Sequence, residues 1–215
     1  MMRHTDLYIA AIPDAPIYRP LLPAERQEQL DATRNERVRA QRYTAWITLL
    51  AGLRFSRGLD AADANLKKHA SGKWTSDKCG ISISHCKTAV AAAVADGAVG
   101  VDIEPGSDAR YTEKLLKRIE TDAERALFSD LPAEQRIAAI WTRKEAAFKR
   151  EAKNACTPIE ADASAENIRT VKIRLDRDYL VSVATEKGAS LRVFEVWDDS
   201  IAERTDFETL EPDAL

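Results

Sequence analysis

The chain has 215 residues, of which 45% are hydrophobic and 31% charged, with a net charge of −3. That length allows one large domain or two compact halves with a real core, and the near-balanced charge gives no reason to expect nucleic acid as the main partner. No apolar stretch approaches membrane-spanning length, and the first residues lack the apolar core and cleavage site of a secretory signal, so a cytoplasmic protein with no membrane association is expected.

In chain order, Leu7 to Ala11 reads as a short strand. From Ala24 to about Arg57 the chain is first polar and charged, then carries Trp46, Ile47, Leu49, Leu50, Leu53 and Phe55. The second part has the broad apolar face of a helix ending at Gly58. Three strands are expected near 80–85, 88–95 and 98–104, with Asp96-Gly97 as a tight hairpin turn between the last two. A helical region follows from about Thr112 to Lys153, interrupted near Leu131-Pro132, where Pro132 is placed to begin a second helix. Three more strands, near 170–175, 178–184 and 190–197, close the series; alternation is clear in Val171-x-Ile173-x-Leu175 and Tyr179-x-Val181-x-Val183, and less regular in the last.

A long helical region followed by three strands therefore occurs twice, without visible identity between the copies. The expected fold is α+β, with two similar halves arranged as a pseudo-dimer, each a long helix packed on a small, mostly antiparallel sheet. The halves are residues 1–106 and 107–215, joined near Pro105 to Ala109, and two internal halves make a monomer the expected state. Acids far outnumber the single base, Arg204, from Glu195 onward, so a mobile acidic tail is expected from about residue 198. Cys79, Cys86 and Cys156 have no metal-type spacing and are expected as reduced thiols. His85 and Cys86 are neighbours on a strand and should point to opposite faces, which argues against a nucleophilic pair.

Chemistry is concentrated in two places. In Gly100-Val101-Asp102-Ile103-Glu104, strand alternation sends both carboxylates to one face and Val101 and Ile103 to the other. Alone, this pattern also suits the solvated face of an ordinary sheet. In Ala139 to Lys149, strong helix formers without Gly or Pro place Trp141, Glu145 and Lys149 in one row. Alone, that row also suits an exposed Glu-Lys pair beside a core tryptophan. If Glu145 were brought beside Asp102 and Glu104, each carboxylate pair would repel by about 4 kcal/mol at about 4 Å and an effective dielectric of about 20. Such a cluster must protonate or bind a cation, and oxygen-only donors suit a hard ion such as Mg²⁺, usually completed by substrate phosphates.

These residues, with Gly72-Lys73, Ser82-Ile83-Ser84-His85 and Trp141-x-x-Lys144-Glu145-x-x-x-Lys149, resemble the signature series of the 4′-phosphopantetheinyl transferases. The likeness is to the two-half, surfactin-synthetase-activating branch, whose members act on carrier proteins of peptide, polyketide and fatty-acid synthases. The motifs and their flanks cover about 40 residues. The resemblance implies Mg-dependent transfer of 4′-phosphopantetheine from coenzyme A to a serine of an apo acyl or peptidyl carrier protein, releasing adenosine 3′,5′-bisphosphate. It implies Asp102, Glu104 and Glu145 as metal ligands, Glu145 as general base and Lys149 as the cation meeting developing charge on the leaving phosphate. For coenzyme A it implies Arg34 and Arg37 on the 3′-phosphate, Lys73 near the adenine and 3′-phosphate, Ser84 and His85 at phosphate, and Lys144 and Trp141 along the pocket. The spacing of Arg34 and Arg37 would put both on one helix face.

The carrier is expected to be acidic, which would require a local basic patch on a slightly acidic enzyme; Lys114, Lys117 and Arg118 are candidates and suit a solvated helix face equally well. The chain departs from the family pattern at Trp74, where proline is frequent, and at Cys86, where serine is frequent. It also lacks a glycine turn after Lys149, where Arg150-Glu151-Ala152-Lys153 would let the helix continue. Two other classes use the same residues: a metal-dependent phosphohydrolase or nuclease, and a non-catalytic coenzyme A-binding protein.

Overall fold

A computed structural model of the chain describes residues 3–16, 18, 22–69, 72–151, 157–165, 167–197 and 200–210. The chain begins with β1 (His4–Ala11), α1 (Ala24–Asp31), α2 (Glu36–Arg57) and two short strands, β2 (Lys67–Lys68) and β3 (Trp74–Thr75). Then come β4 (Gly80–His85), β5 (Ala89–Ala95) and β6 (Gly100–Pro105). The second half has α3 (Glu113–Ile119), α4 (Asp122–Leu127), α5 (Ala133–Glu151), a 3₁₀ turn at Pro158–Glu160, β7 (Ile168–Arg174), β8 (Asp178–Ala184) and β9 (Ser190–Trp197). Two further strands, β10 (Ser200–Arg204) and β11 (Glu208–Thr209), lie where the sequence suggests a mobile tail.

The fold is α+β with mostly antiparallel sheets, as the repeated element order implies. The two large sheets have the orders β10-β9-β1-β5-β4 and β11-β7-β8-β6, and β2 and β3 pair as a separate two-stranded sheet. Alternation on β1 and β5 gives each a double role. Leu7, Ile9, Ala91 and Ala93 face the second sheet and join Val101, Ile103, Val181 and Val183 in the core between the sheets. Tyr8, Val90, Ala92 and Val94 face α2 and bury against Trp46, Leu49 and Leu53. On the outer face of the second sheet, α3 and α5 cover Leu180 with Leu116, Ile137 and Ile140. Burying one such side chain is worth about 1.5–3 kcal/mol.

Local signals set the helix ends. Asn35 caps α2 by accepting from the Val38 N–H at 3.1 Å, and Gly58 ends it in the left-handed region at φ 66°, where a side chain would be strained. The helical region from 112 breaks at Glu120 as well as before α5, because Thr121 and Glu124 form a reciprocal capping box that starts α4. Pro132 stands just outside α5 and its carbonyl accepts the N–H of Arg136 at 2.9 Å.

Three expectations are corrected. Asp96-Gly97 is a turn but not a hairpin turn: β5 pairs with β1 and β4, and the chain crosses to the other sheet, where β6 pairs with β8. Strand β9 crosses in the opposite sense and runs parallel to β1. The third strand after each long helix is thus exchanged between the two large sheets. The acidic end is not a free tail, since Ile201 pairs with Val196 and Thr209 with Val171; residues 211–215 lie outside the described residues. Arg34 precedes the Asn35 cap, so Arg34 and Arg37 do not share a helix face.

Cys79 and Cys86 are free thiols, and Cys156 lies outside the described residues. No described helix is long and apolar enough to cross a membrane.

Candidate active site

The two sheets meet where β4 runs beside β6. Ser82 Oγ accepts the Val101 N–H at 3.0 Å, and Ser84 Oγ donates to Asp102 Oδ1 at 2.6 Å. A cavity of about 570 Å³ opens at this junction, with Arg26 and Leu49 on one side and Trp141, Glu145, Phe148 and Lys149 of α5 on the other. Asp102 and Glu104 form part of its wall, as do Lys73, Ser84 and His85. Helix α5 lies directly on the β6 backbone at Gly100, where an added Cβ would sit 2.0 Å from the Ala146 carbonyl oxygen.

Strand and helix periodicity bring the predicted groups together. Lys149 Nζ donates to Asp102 Oδ1 at 2.6 Å and to Ser84 Oγ at 3.0 Å, and lies 3.9 Å from Glu145 Oε2 one turn back. Asp102 is 6% exposed. Glu104 Oε2 accepts from Arg110 Nη2 and from the Tyr111 hydroxyl, both at 3.4 Å. Burial, then the charge of Asp102, push the Glu104 carboxyl up to about 7 against the pull of Arg110 and Tyr111. Burial also raises Glu145, which Lys149 opposes and Asp102 reinforces. His85 is lowered by burial and by the nearby cations Lys149, Arg26 and Arg42, which favours neutral imidazole. Cys86, one residue on, turns into the core instead, with its thiol on the Ala89 carbonyl.

Other predicted residues lie elsewhere. Lys144 does not line the cavity; its side chain turns from the edge of that helix face towards α4 and the 3₁₀ turn. There its buried ammonium pairs with Glu124 Oε1 at 2.7 Å and donates to the carbonyls of Ala161 and Ile159. Arg34 is exposed in a shallow groove with Arg26 and Arg42, and Arg37 is exposed on the first turn of α2; neither lines the cavity. Lys73 lines it, but its ammonium donates to the carbonyls of Lys149 and Val99.

Lining the cavity from this side, along with Lys68, is Arg26, the single basic residue of α1. It lies 5.5 Å over the Trp46 ring, donates to Gln29 Oε1 at 3.0 Å, and keeps a buried Nε without a partner. Burial, then Arg42, lower it to about 10. Its sequence signal was its isolation among acids and glutamines. Arg110 and Tyr111 were equally unforeseen, because nothing local connects that turn with Glu104.

Asp102, Glu104 and Glu145 offer oxygen donors only, the set a hard divalent cation takes. Among the described residues no three such side chains converge into a ready cage, since Lys149 engages Asp102 and Arg110 engages Glu104. Burial, with the charge of Asp102 behind it, holds Glu104 and Glu145 towards the neutral form, and a bound cation would offset that cost, so the donor set fits one.

No curated protein matches the chain. Residues 98–197, from the turn before β6 to the end of β9, match the family model for the 4′-phosphopantetheinyl transferase superfamily, a span that includes Asp102, Glu104, Glu145 and Lys149.

Proposed function

We propose that the protein transfers 4′-phosphopantetheine from coenzyme A to a serine of an apo acyl or peptidyl carrier protein, with Mg²⁺, releasing adenosine 3′,5′-bisphosphate. The observation that carries this reading is the meeting of Asp102 and Glu104 on β6 with Glu145 and Lys149 on α5 across one cavity. Its volume falls within the roughly 300–1,000 Å³ usual for small-molecule sites. One chain supplies both walls, so a monomer suffices.

Asp102, Glu104 and Glu145 would hold Mg²⁺, which when bound supplies Lewis-acid neutralisation of the pyrophosphate charge. Arg26 and neutral His85 offer donors to the phosphates of coenzyme A from the opposite wall. Glu145, with its raised proton affinity, is the base that takes the serine proton, directly or through water. The serine oxygen forms a bond to the phosphorus bearing pantetheine, and the bond from that phosphorus to the bisphosphate breaks with its electron pair leaving on the departing oxygen. Lys149 donates to the phosphate oxygens as this charge grows. Trp141 and Phe148 line the same wall and limit water.

The test is intact-mass measurement of a panel of apo carriers incubated with coenzyme A and Mg²⁺. A gain of one phosphopantetheine that disappears with chelator supports the reading. Hydrolysis of coenzyme A without any acceptor would replace it with a phosphohydrolase, and tight binding without turnover would replace it with a coenzyme A-binding protein.

A further inference from the structure

We propose that Lys73 is a positioning residue that holds the last turn of α5 against the start of β6, and so places Lys149, rather than a ligand for the substrate. Its consequence for turnover rests on the transferase reading above.

Lys73 lies between β2 and β3, and its own carbonyl accepts the His69 N–H at 2.7 Å, which fixes the base of the side chain. Its ammonium donates to the Lys149 carbonyl at 2.5 Å and the Val99 carbonyl at 3.2 Å. Three segments distant in sequence are thereby tied through main-chain oxygens. Val99 immediately precedes β6, and Lys149 lies in the last turn of α5. A cation is favourable near the C-terminal end of a helix, where the macrodipole is negative.

The contact is tight by backbone geometry as well. At Gly100 an added Cβ would sit 2.5 Å from the Arg150 nitrogen, so the end of α5 and the first residue of β6 touch without side chains between them. Two residues along β6 is Asp102, and the Lys149 whose carbonyl Lys73 holds is the one whose ammonium reaches Asp102 Oδ1 at 2.6 Å. One cation therefore sets the main chain of another. Burial and the charges of Arg150 and Lys149 lower Lys73, in keeping with an ammonium enclosed by the protein.

The experiment uses the full chain and its Lys73→Met and Lys73→Arg variants. Three quantities are read: kcat and KM for coenzyme A on a carrier that the wild type modifies, the calorimetric Kd of adenosine 3′,5′-bisphosphate, and hydrogen exchange of amides 146–151. For Lys73→Met we expect kcat to fall about tenfold or more with the bisphosphate Kd within about threefold, faster exchange in the last turn of α5, and partial recovery in Lys73→Arg. A bisphosphate Kd weakened about tenfold or more with unchanged exchange would make Lys73 a substrate contact and overturn the proposal. Unchanged exchange with unchanged kcat would overturn it as well.

If Lys73→Met fails to fold, the wild type decides through its lysine side-chain resonances. Lys73 should move little on saturation with the bisphosphate while Lys149 moves; equal movement of both overturns the proposal. Exchange and resonances need no turnover, so they test the Lys73 tie even if no carrier is modified, an outcome that would count against the transferase reading alone.

Discussion

Lys149 on α5 places its ammonium 2.6 Å from Oδ1 of Asp102 on β6, a residue 6% exposed. Without a bound metal, this contact neutralises the most buried carboxylate of the cavity. Lys149→Met would leave Asp102 with Ser84 as its remaining donor in a site that water reaches poorly. Breaking a fully buried pair costs about 3–5 kcal/mol, and because Lys149 is itself partly exposed we expect on the order of 2 kcal/mol here. Urea unfolding in chelator measures it, and added Mg²⁺ should restore part of the loss. A variant as stable as the wild type in chelator would show that the contact contributes nothing.

Glu104 gives a pH dependence of definite sign. Its folded-state carboxyl is raised from 4.5 to about 7, so between those values the folded protein binds more protons than the unfolded chain. Stability from this group is therefore fully present below about pH 4.5 and is lost as pH rises through about 7. The full span is on the order of 3 kcal/mol. In chelator at pH 8, Glu104→Gln should be more stable than the wild type while losing Mg²⁺-dependent transfer. Denaturant midpoints across pH 5–8 decide this; a Glu104→Gln midpoint that tracks the wild type at every pH would remove Glu104 as the cause.

The parts of this site that were legible in the sequence are those governed by short periods. Asp102 and Glu104 oppose Val101 and Ile103 because strand side chains alternate, and Glu145 meets Lys149 because four residues span about one helical turn. Which sheet β6 joins was not legible. Asp96-Gly97 marks a turn, but the pairing of Asp102 with Ser182 rather than with β5 is decided by distant strand edges. The same holds for the acid-rich end: short, polar β10 and β11 have the character of edge strands, and their partners Val196 and Val171 supply the order that composition does not reveal.

Lys144 illustrates how a motif letter can mislead about contact. Its ammonium and the Glu124 carboxylate are both almost fully buried, and Glu124 also accepts the N–H groups of Thr121 and Ala163. Lys144→Met should therefore destabilise the fold by about 3–5 kcal/mol by leaving Glu124 without its cation. The double variant Lys144→Met/Glu124→Gln should recover much of this, because the charge left unpaired is then removed. Under conditions where Lys144→Met is folded, KM for coenzyme A should stay within about twofold of wild type. A large rise in KM with unchanged stability would place Lys144 on the substrate after all.

Arg26 and the pair Arg34 and Arg37 make opposing predictions about coenzyme A. Arg26 is drawn into the cavity wall by Trp46 beneath it and keeps a buried Nε without an acceptor, whereas Arg34 and Arg37 are exposed and outside the cavity. A phosphate oxygen arriving there would gain a charge-assisted hydrogen bond from an already desolvated guanidinium, where the exposed pair would offer only screened attraction. Arg26→Gln should raise KM for coenzyme A about tenfold with kcat within about threefold, while Arg34→Gln/Arg37→Gln should change KM by less than about threefold. Raising the salt concentration should erode the smaller effect first, because solvent-exposed charges are screened more than buried ones. Steady-state kinetics at two ionic strengths separate the cases, and a KM that responds to the exposed pair but not to Arg26 would move the phosphate subsite out of the cavity and onto the α2 surface.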